Sequence, residues 1–314
     1  MNRLFRRISL ATVIISCMTN GVSAQQEPQF TQYMDNLIYY NPGYAGSHDR
    51  MSIAALHRQQ WAGFAGAPMS TTFALHSPLS YDNIGLGLSF VNDRLGPTND
   101  TWINGDVSYS LKFKNHNGRL AFGVKAGVNM LNGDLTNLVK EDQNDATLNV
   151  RYKNEIKFNV GAGIFYHSDQ FFVGVAVPRI LENIKDIKDV TSVANEKFSL
   201  QRHYYAMIGG YINAGRMLKI RPNAMVKITE NAPLAVDAGL AFIFYDKFWL
   251  GLNYRVLESA GLYLQYSFTP QFKMGYAFEF STTKMGTHSA GTHEIMLAFD
   301  LLFKNKSLAT PRYF

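Results

Sequence analysis

From residue 51 onward the chain alternates apolar residues with small or polar ones, in segments about ten residues long. That pattern leaves few folds open. Ile84, Leu86, Leu88 and Phe90 alternate with Gly85, Gly87 and Ser89. Ile103, Val107, Tyr109, Leu111 and Phe113 lie opposite Asn104, Asp106, Ser108, Ser110 and Lys112. A strand points successive side chains to opposite faces, so each segment has one apolar face and one small or polar face. Fourteen strands are predicted, near 51–60, 69–78, 83–92, 100–113, 119–131, 156–166, 170–177, 203–212, 217–228, 234–244, 248–256, 260–268, 271–281 and 292–303. Several match the length of a tilted membrane-crossing strand.

The linkers sort by parity. Connections after even-numbered strands are tight, such as Tyr245-Asp246-Lys247 and Thr269-Pro270. Those after odd-numbered strands are longer on average, the longest being 132–155 and 178–202. Unpaired backbone groups cannot stay in hydrocarbon, so a membrane-spanning sheet must close on itself. The expected fold is all-β: a transmembrane antiparallel outer-membrane β-barrel of about fourteen strands. Short periplasmic turns and longer outer loops belong to that class, with apolar faces toward lipid. A secreted soluble sandwich competes, but it gives no reason for loops to sort by parity. Aromatics near strand ends (Phe113, Tyr166, Phe244, Trp249 and Phe268) are expected to form interface girdles.

Residues 1–24 read as a secretory signal. Arg3, Arg6 and Arg7 precede the apolar run Ile8 to Met18, and Val22-Ser23-Ala24 offers a cleavage site after Ala24. Lipoprotein processing at the only cysteine, Cys17, fits poorly because Ile15 stands two residues before it. Those 24 residues hold three arginines and no acid, so losing them takes the formal charge from +6 to +3. The basic balance therefore does not argue for nucleic acid. The expected division is 1–24 signal peptide, 25–50 an N-terminal periplasmic or plug segment, 51–303 the barrel, and 304–314 a periplasmic tail.

The segment before the strands, Gln29 to Ser47, follows neither a helix nor a strand period. It is dense in aromatics and ends in Asn41-Pro42-Gly43 and Ala45-Gly46. It reads as a plug or rim under the first strands, or as a periplasmic docking surface. Loop parity alone sets it at the periplasmic mouth.

These residues, with others further along, resemble a known family. The matching blocks are Phe30-Thr31-Gln32-Tyr33-Met34, Asn41-Pro42 and Tyr44-Ala45-Gly46-Ser47. Gln60-Trp61, Gly63-Phe64 and Gly66-Ala67-Pro68 follow, then Arg202-His203-Tyr204-Tyr205, and Asn231-Ala232-Pro233. Later blocks are Trp249 with Gly251, Tyr254-Arg255, and His293-Glu294-Ile295. They are similar, in order, to the PorP/SprF family of outer-membrane proteins of the type IX secretion system. The resemblance implies a fourteen-stranded barrel in the cell outer membrane, set in lipid. It implies work with type IX secretion components in the periplasm and outer membrane, in exporting or anchoring large surface proteins such as gliding adhesins. On that basis Phe30, Tyr33, Met34, Asn41, Pro42, Tyr44, Gly46, Trp61, Gly63, Phe64, Pro68, Arg202, Tyr204, Tyr205, Asn231, Pro233, Trp249, Tyr254, Arg255, His293 and Glu294 are candidate partner-binding residues.

No catalytic constellation stands out, and no cofactor is implied. There is no phosphate loop, no His-Glu-x-x-His and no serine elbow. His288 with His293-Glu294 lacks a recognised ligand spacing. The acid-rich 141–145 lacks the oxygen spacing of a calcium loop. Inward charges (Lys125, Lys157, Arg221, Lys227, Asp237, Arg255 and Glu279) either tune a pore or, as favoured here, pair across the lumen. A passive pore for small solutes is the alternative function.

Overall fold

Fourteen strands pair antiparallel, each with its neighbour in sequence, and the first pairs with the last. The computed structural model describes residues 27–48, 50–79, 83–113, 117–137, 151–181, 184–185, 198–199, 201–230 and 232–301. The expected signal, the 304–314 tail, the acid-rich 141–145 and Asn231 lie outside the described residues.

The strands are β1 (Met51–Gln59), β2 (Met69–Pro78), β3 (Ile84–Leu95), β4 (Thr98–Lys112), β5 (Arg119–Asp134), β6 (Arg151–His167) and β7 (Phe171–Val177). Then come β8 (His203–Gly210, resuming past Tyr211 as Ile212–Asn213), β9 (Leu218–Thr229), β10 (Ala235–Phe244) and β11 (Phe248–Arg255). The last three are β12 (Ser259–Ser267), β13 (Phe272–Ser281) and β14 (Thr292–Leu301). Closure runs from Met51 opposite Leu301 to Gln59 opposite His293. Among the described residues the barrel sheet has no open edge, which is what a spanning sheet requires.

All fourteen expected strands are present. The differences are at the outer ends, where β4, β5 and β6 reach 15, 16 and 17 residues. A tilted strand needs only about ten residues to cross, so the extra five to seven correspond to a rise of about 12–16 Å above the crossing length, at about 3.3 Å per residue and a tilt near 45°. The β3–β4 connection shrinks to Gly96-Pro97 accordingly.

The two faces sort as the alternation demands. Leu86, Leu88, Phe90, Val107, Tyr109, Leu262 and Leu264 are exposed outward. Ser52, Arg58, Ser89, Asp106, Ser108 and Lys125 are buried inward. An apolar surface of this extent is stable only against lipid. Phe113 and Phe268 lie outward, as a girdle needs, but Trp249 does not. It is 2% exposed and faces the lumen. Phe248 precedes it, and two adjacent strand residues cannot share a face. Phe248 takes the lipid side, and Trp249 joins Asn253 and Arg255 inside.

The core lies inside the barrel and is built on the N-terminal segment. Its local structure is a 3-10 turn at Tyr33–Asp35, a single helical turn α1 (Leu37–Tyr40), and a second 3-10 turn at Pro42–Tyr44. Pro42 stops α1, because the residue before a proline is pushed out of the helical region. Asn41 is accordingly extended, at φ −134° and ψ 110°. Phe30, Tyr33, Met34, Leu37, Ile38, Tyr39, Tyr40 and Tyr44 pack with wall residues Leu56, Trp102, Phe165, Phe172, Tyr205, Met207, Met225 and Met296.

Candidate functional site

The lumen and its bound N-terminal segment form the site. The segment begins near the outer strand ends and finishes near the periplasmic ends. Glu27 meets Arg179, just past β7, and His203 at the start of β8, both at 3.3 Å. The Tyr205 hydroxyl donates to Glu27 Oε2 at 2.7 Å. Four residues on, Glu294 of β14 accepts the backbone N–H groups of Thr31 (2.9 Å) and Gln32 (2.8 Å).

Around that turn Asp237, Arg255 and Glu279 pair rather than line a pore, whereas Lys227 Nζ has no hydrogen-bond partner among the described residues. Arg58 donates to Glu279 at 2.8 Å, to Glu294 at 3.5 Å and to the Thr31 hydroxyl at 3.0 Å. Arg255 reaches Asp237 at 2.8 Å, Glu258 at 3.3 Å and Glu279 at 3.4 Å. An alternating chain of acids and bases thus crosses β14, β1, β13, β11 and β10. A buried charge is costly unless paired and hydrogen-bonded, and here every member is paired.

Toward the periplasmic end, Asp35 meets Lys273 of β13 at 2.5 Å and accepts from Gln265 at 2.7 Å. Lys125 of β5 donates to the carbonyls of Ile38 (3.0 Å) and Tyr39 (3.4 Å). It thereby caps α1 with a cation, where a helix end leaves carbonyls unsatisfied. Asp106 balances that ammonium at 3.2 Å. The Tyr33 hydroxyl donates to Asn223 at 2.6 Å. Burial pushes the phenols of Tyr33, Tyr39 and Tyr40 up, so all three stay neutral.

At the periplasmic end Asn41 links the segment to the wall. Its Oδ1 accepts from Gly43 N at 2.8 Å, and its Nδ2 donates to the carbonyls of Ile164 (3.0 Å) and Val175 (3.4 Å). Beyond it Tyr44 packs edge-on against His76, at 4.9 Å between centroids, and Gly46 N donates to His76 Nδ1 at 3.3 Å.

Burial alone would raise the Glu27 carboxyl. Arg179 and His203 outweigh it, with hydrogen bonds from His203 and Tyr205, and hold it well below its ordinary 4.5. A depressed carboxyl gives stability that is present above 4.5 and lost only as pH falls through the lower folded value. Protease protection of the N-terminal segment is therefore expected to be unchanged from pH 8 to pH 5, and to weaken only in stronger acid. A drop within that window would contradict the assigned ion pair.

The candidate residues divide into three groups. Phe30, Tyr33, Met34, Asn41, Pro42, Tyr44, Tyr205, Trp249, Arg255 and Glu294 converge in the lumen. Gly46 follows them at its periplasmic end. Trp61, Gly63, Phe64, Pro68, Arg202 and Pro233 sit at the outer end, where Phe64 is 48% exposed and Arg202 donates to the Ile180 carbonyl. Tyr204, Tyr254 and His293 point outward, and His293 bonds the Tyr276 hydroxyl at 2.7 Å. Because His293 and Glu294 are adjacent in a strand, they face opposite sides and cannot share a ligand. Among the described residues no cluster of three His, Cys, Asp or Glu could hold a metal ion. The motif residues missed Glu27, Asp35, Arg58 and Lys273. Glu27 and Asp35 are the only acids in the stretch before residue 47, which is the signal that could have found them.

A family profile described as type IX secretion system membrane protein PorP/SprF matches residues 22–299. No curated protein matches the chain. Several solved structures are similar. The outer membrane protein Omp33 of Acinetobacter baumannii is 10% identical at a TM-score of 0.45, over 80% of this chain and 98% of that one. A Pseudomonas aeruginosa FadL homologue is 10% identical at 0.46, over 83% and 92%. A deletion mutant of the TodX monoaromatic hydrocarbon channel is 8% identical at 0.46, over 86% and 94%. At these values the fold rests on the chain's own strand pairing.

Proposed function

The chain belongs to the PorP/SprF family of type IX secretion system membrane proteins, and from that premise we propose that it is a non-enzymatic outer-membrane barrel assisting export or surface anchoring of large cell-surface proteins, such as gliding adhesins. A signal cleaved after Ala24 would deliver it to the periplasm. The observation that carries the reading is the filled lumen. A barrel packed with its own N-terminal segment works by contact, whereas a passive pore needs a water-filled path.

The contacts fall at the two ends. Contacts to the exported protein are assigned to the outer connections within 132–155 and 178–202, together with Trp61, Phe64, Arg202 and Pro233. The periplasmic mouth faces the secretion components. The lumen motif residues act by holding the N-terminal segment, and so by fixing the shape of both ends.

Two measurements test this together. Deleting the protein is expected to remove one large protein from the cell surface while leaving others in place. The purified chain in a planar bilayer is expected to stay closed. An unchanged cell surface, with a stable open current and a solute-dependent growth defect, would favour the small-solute pore instead.

A further inference from the structure

The N-terminal segment does not fill the periplasmic mouth evenly. Its last residues, Asn41 to Gly46, lie against β2, β3, β5, β6 and β7. On the opposite side a recess of about 390 Å³ remains, between the Tyr245–Lys247 turn, the Phe268–Gln271 turn and the end of β14. Its size is that of a ligand pocket, and its lining mixes apolar side chains with seven polar or charged ones, four of them charged. Trp249 and Ala298 form the inner wall, and Phe268 and Pro270 the rim.

The charges decide what can enter. Both acids in the lining are already engaged. Asp246 meets Lys219 at 2.7 Å, and Asp300 accepts from Ser52 at 2.7 Å with Arg50 at 3.8 Å. Lys247 has no ion pair among the described residues. Lys273 lies deeper, bound to Asp35, with its ammonium 4.4 Å from the centre of the Trp249 ring. The surroundings have the same sign. Described strand ends and turns on this side carry seven cations (Arg50, Lys112, Arg119, Arg216, Lys219, Lys247 and Lys273) against four acids (Asp35, Asp169, Asp246 and Asp300). A basic rim steers and selects an acidic partner.

We propose that this recess receives an acidic segment of a periplasmic protein that carries an aromatic side chain. The aromatic ring packs against Phe268 and Pro270 at the rim, outside the buried Trp249, and a neighbouring carboxylate meets Lys247. A second carboxylate reaching further in competes with Asp35 for Lys273, which couples periplasmic docking to the hold on the N-terminal segment. This rests on the export reading above, since a passive pore has no need of such a partner.

The test uses the full chain in living cells, with the photo-crosslinking residue p-benzoylphenylalanine in place of Gln271 at the rim. The expected product joins the barrel to a periplasmic protein, within a stretch rich in Asp or Glu beside an aromatic. Lys247→Glu is expected to lower its yield about fivefold or more without changing heat-modifiable mobility. Changing the mapped acid to Lys restores the yield in the Lys247→Glu background. Crosslinks to lipid alone, no crosslink, or a yield indifferent to Lys247→Glu would overturn the proposal. If the surface protein is lost on deletion but the crosslink ignores Lys247, only the recess fails. If deletion leaves the surface unchanged, the export reading fails with it.

Discussion

Gly123→Val is expected to give a barrel that assembles but no longer holds its N-terminal segment. Gly123 faces inward on β5, under the turn at Pro42–Tyr44. A Cβ there would lie 2.2 Å from Gly43 N and from Pro42 C, and 2.5 Å from Pro42 O. These are backbone atoms, so no rotamer change relieves the clash. Overpacking of this kind costs about 1–3 kcal/mol where side chains can adjust, and more where they cannot. Val itself suits a strand, so the wall keeps its pairing and the cost falls on the docked segment. Gly85→Val acts at a second point, where the new Cβ would be 2.1 Å from Ala45 O. Gly105→Ala is the control, because its nearest atom is Ala126 O at 4.0 Å. Planar-bilayer recordings should show open current steps for the two Val variants and none for the control, with heat-modifiable mobility alike in all three. A closed Gly123→Val channel would mean that the segment is not held by this contact.

The barrel was legible because alternation is local: each strand states its own faces. It weakened where lipid no longer enforces it. The outer part of β5, Asn129 to Asp134, rises past the membrane and loses a clean period, so the predicted end at 131 fell short of Asp134. Trp249 departs from the expected girdle for a different reason. Position near a strand end suggested a girdle, but its parity with Gly251, Asn253 and Arg255 already placed it inside. Two rules conflicted, and the face rule won because it is set by backbone geometry.

The lumen was legible only in composition. The aromatics of the N-terminal segment announced a packed role, and inward charges such as Arg255 and Glu279 announced pairing. Their meeting could not be read. Thr31 and Gln32 find Glu294 across 263 and 262 residues. Loop parity fixes which side a strand ends on but not how far a non-strand segment climbs inside. That Glu27 stands near the outer ends follows from its contacts with Arg179 and His203 alone.

Glu294→Ala is expected to release the outer end of the segment. One carboxylate there serves three neighbours: its Oε2 accepts Thr31 N and Arg58, and its Oε1 accepts Gln32 N and Gln32 Nε2 at 3.2 Å. Truncation leaves two backbone donors unsatisfied in a site where Glu294 is 1% exposed. It also strips one of the two acids from Arg58. Breaking a buried pair this way costs about 3–5 kcal/mol. The loss should fall on docking of the segment rather than on the barrel, since the β14 ladder with β1 and β13 is made by backbone groups. Hydrogen exchange reads it directly: the Thr31 and Gln32 amides should exchange about a hundredfold faster, as a loss near 3 kcal/mol requires. Glu294→Gln should fall between, because its carbonyl oxygen still accepts one amide but carries no charge for Arg58. Glu279→Ala separates the two backbone bonds from the rest, since it removes a charge partner of Arg58 and the Thr31 hydroxyl bond (2.8 Å) while leaving both amides on Glu294. Equal exchange in Glu294→Ala and Glu279→Ala would show that the charge network with its Thr31 hydroxyl bond, and not the two backbone bonds, holds the segment in the lumen.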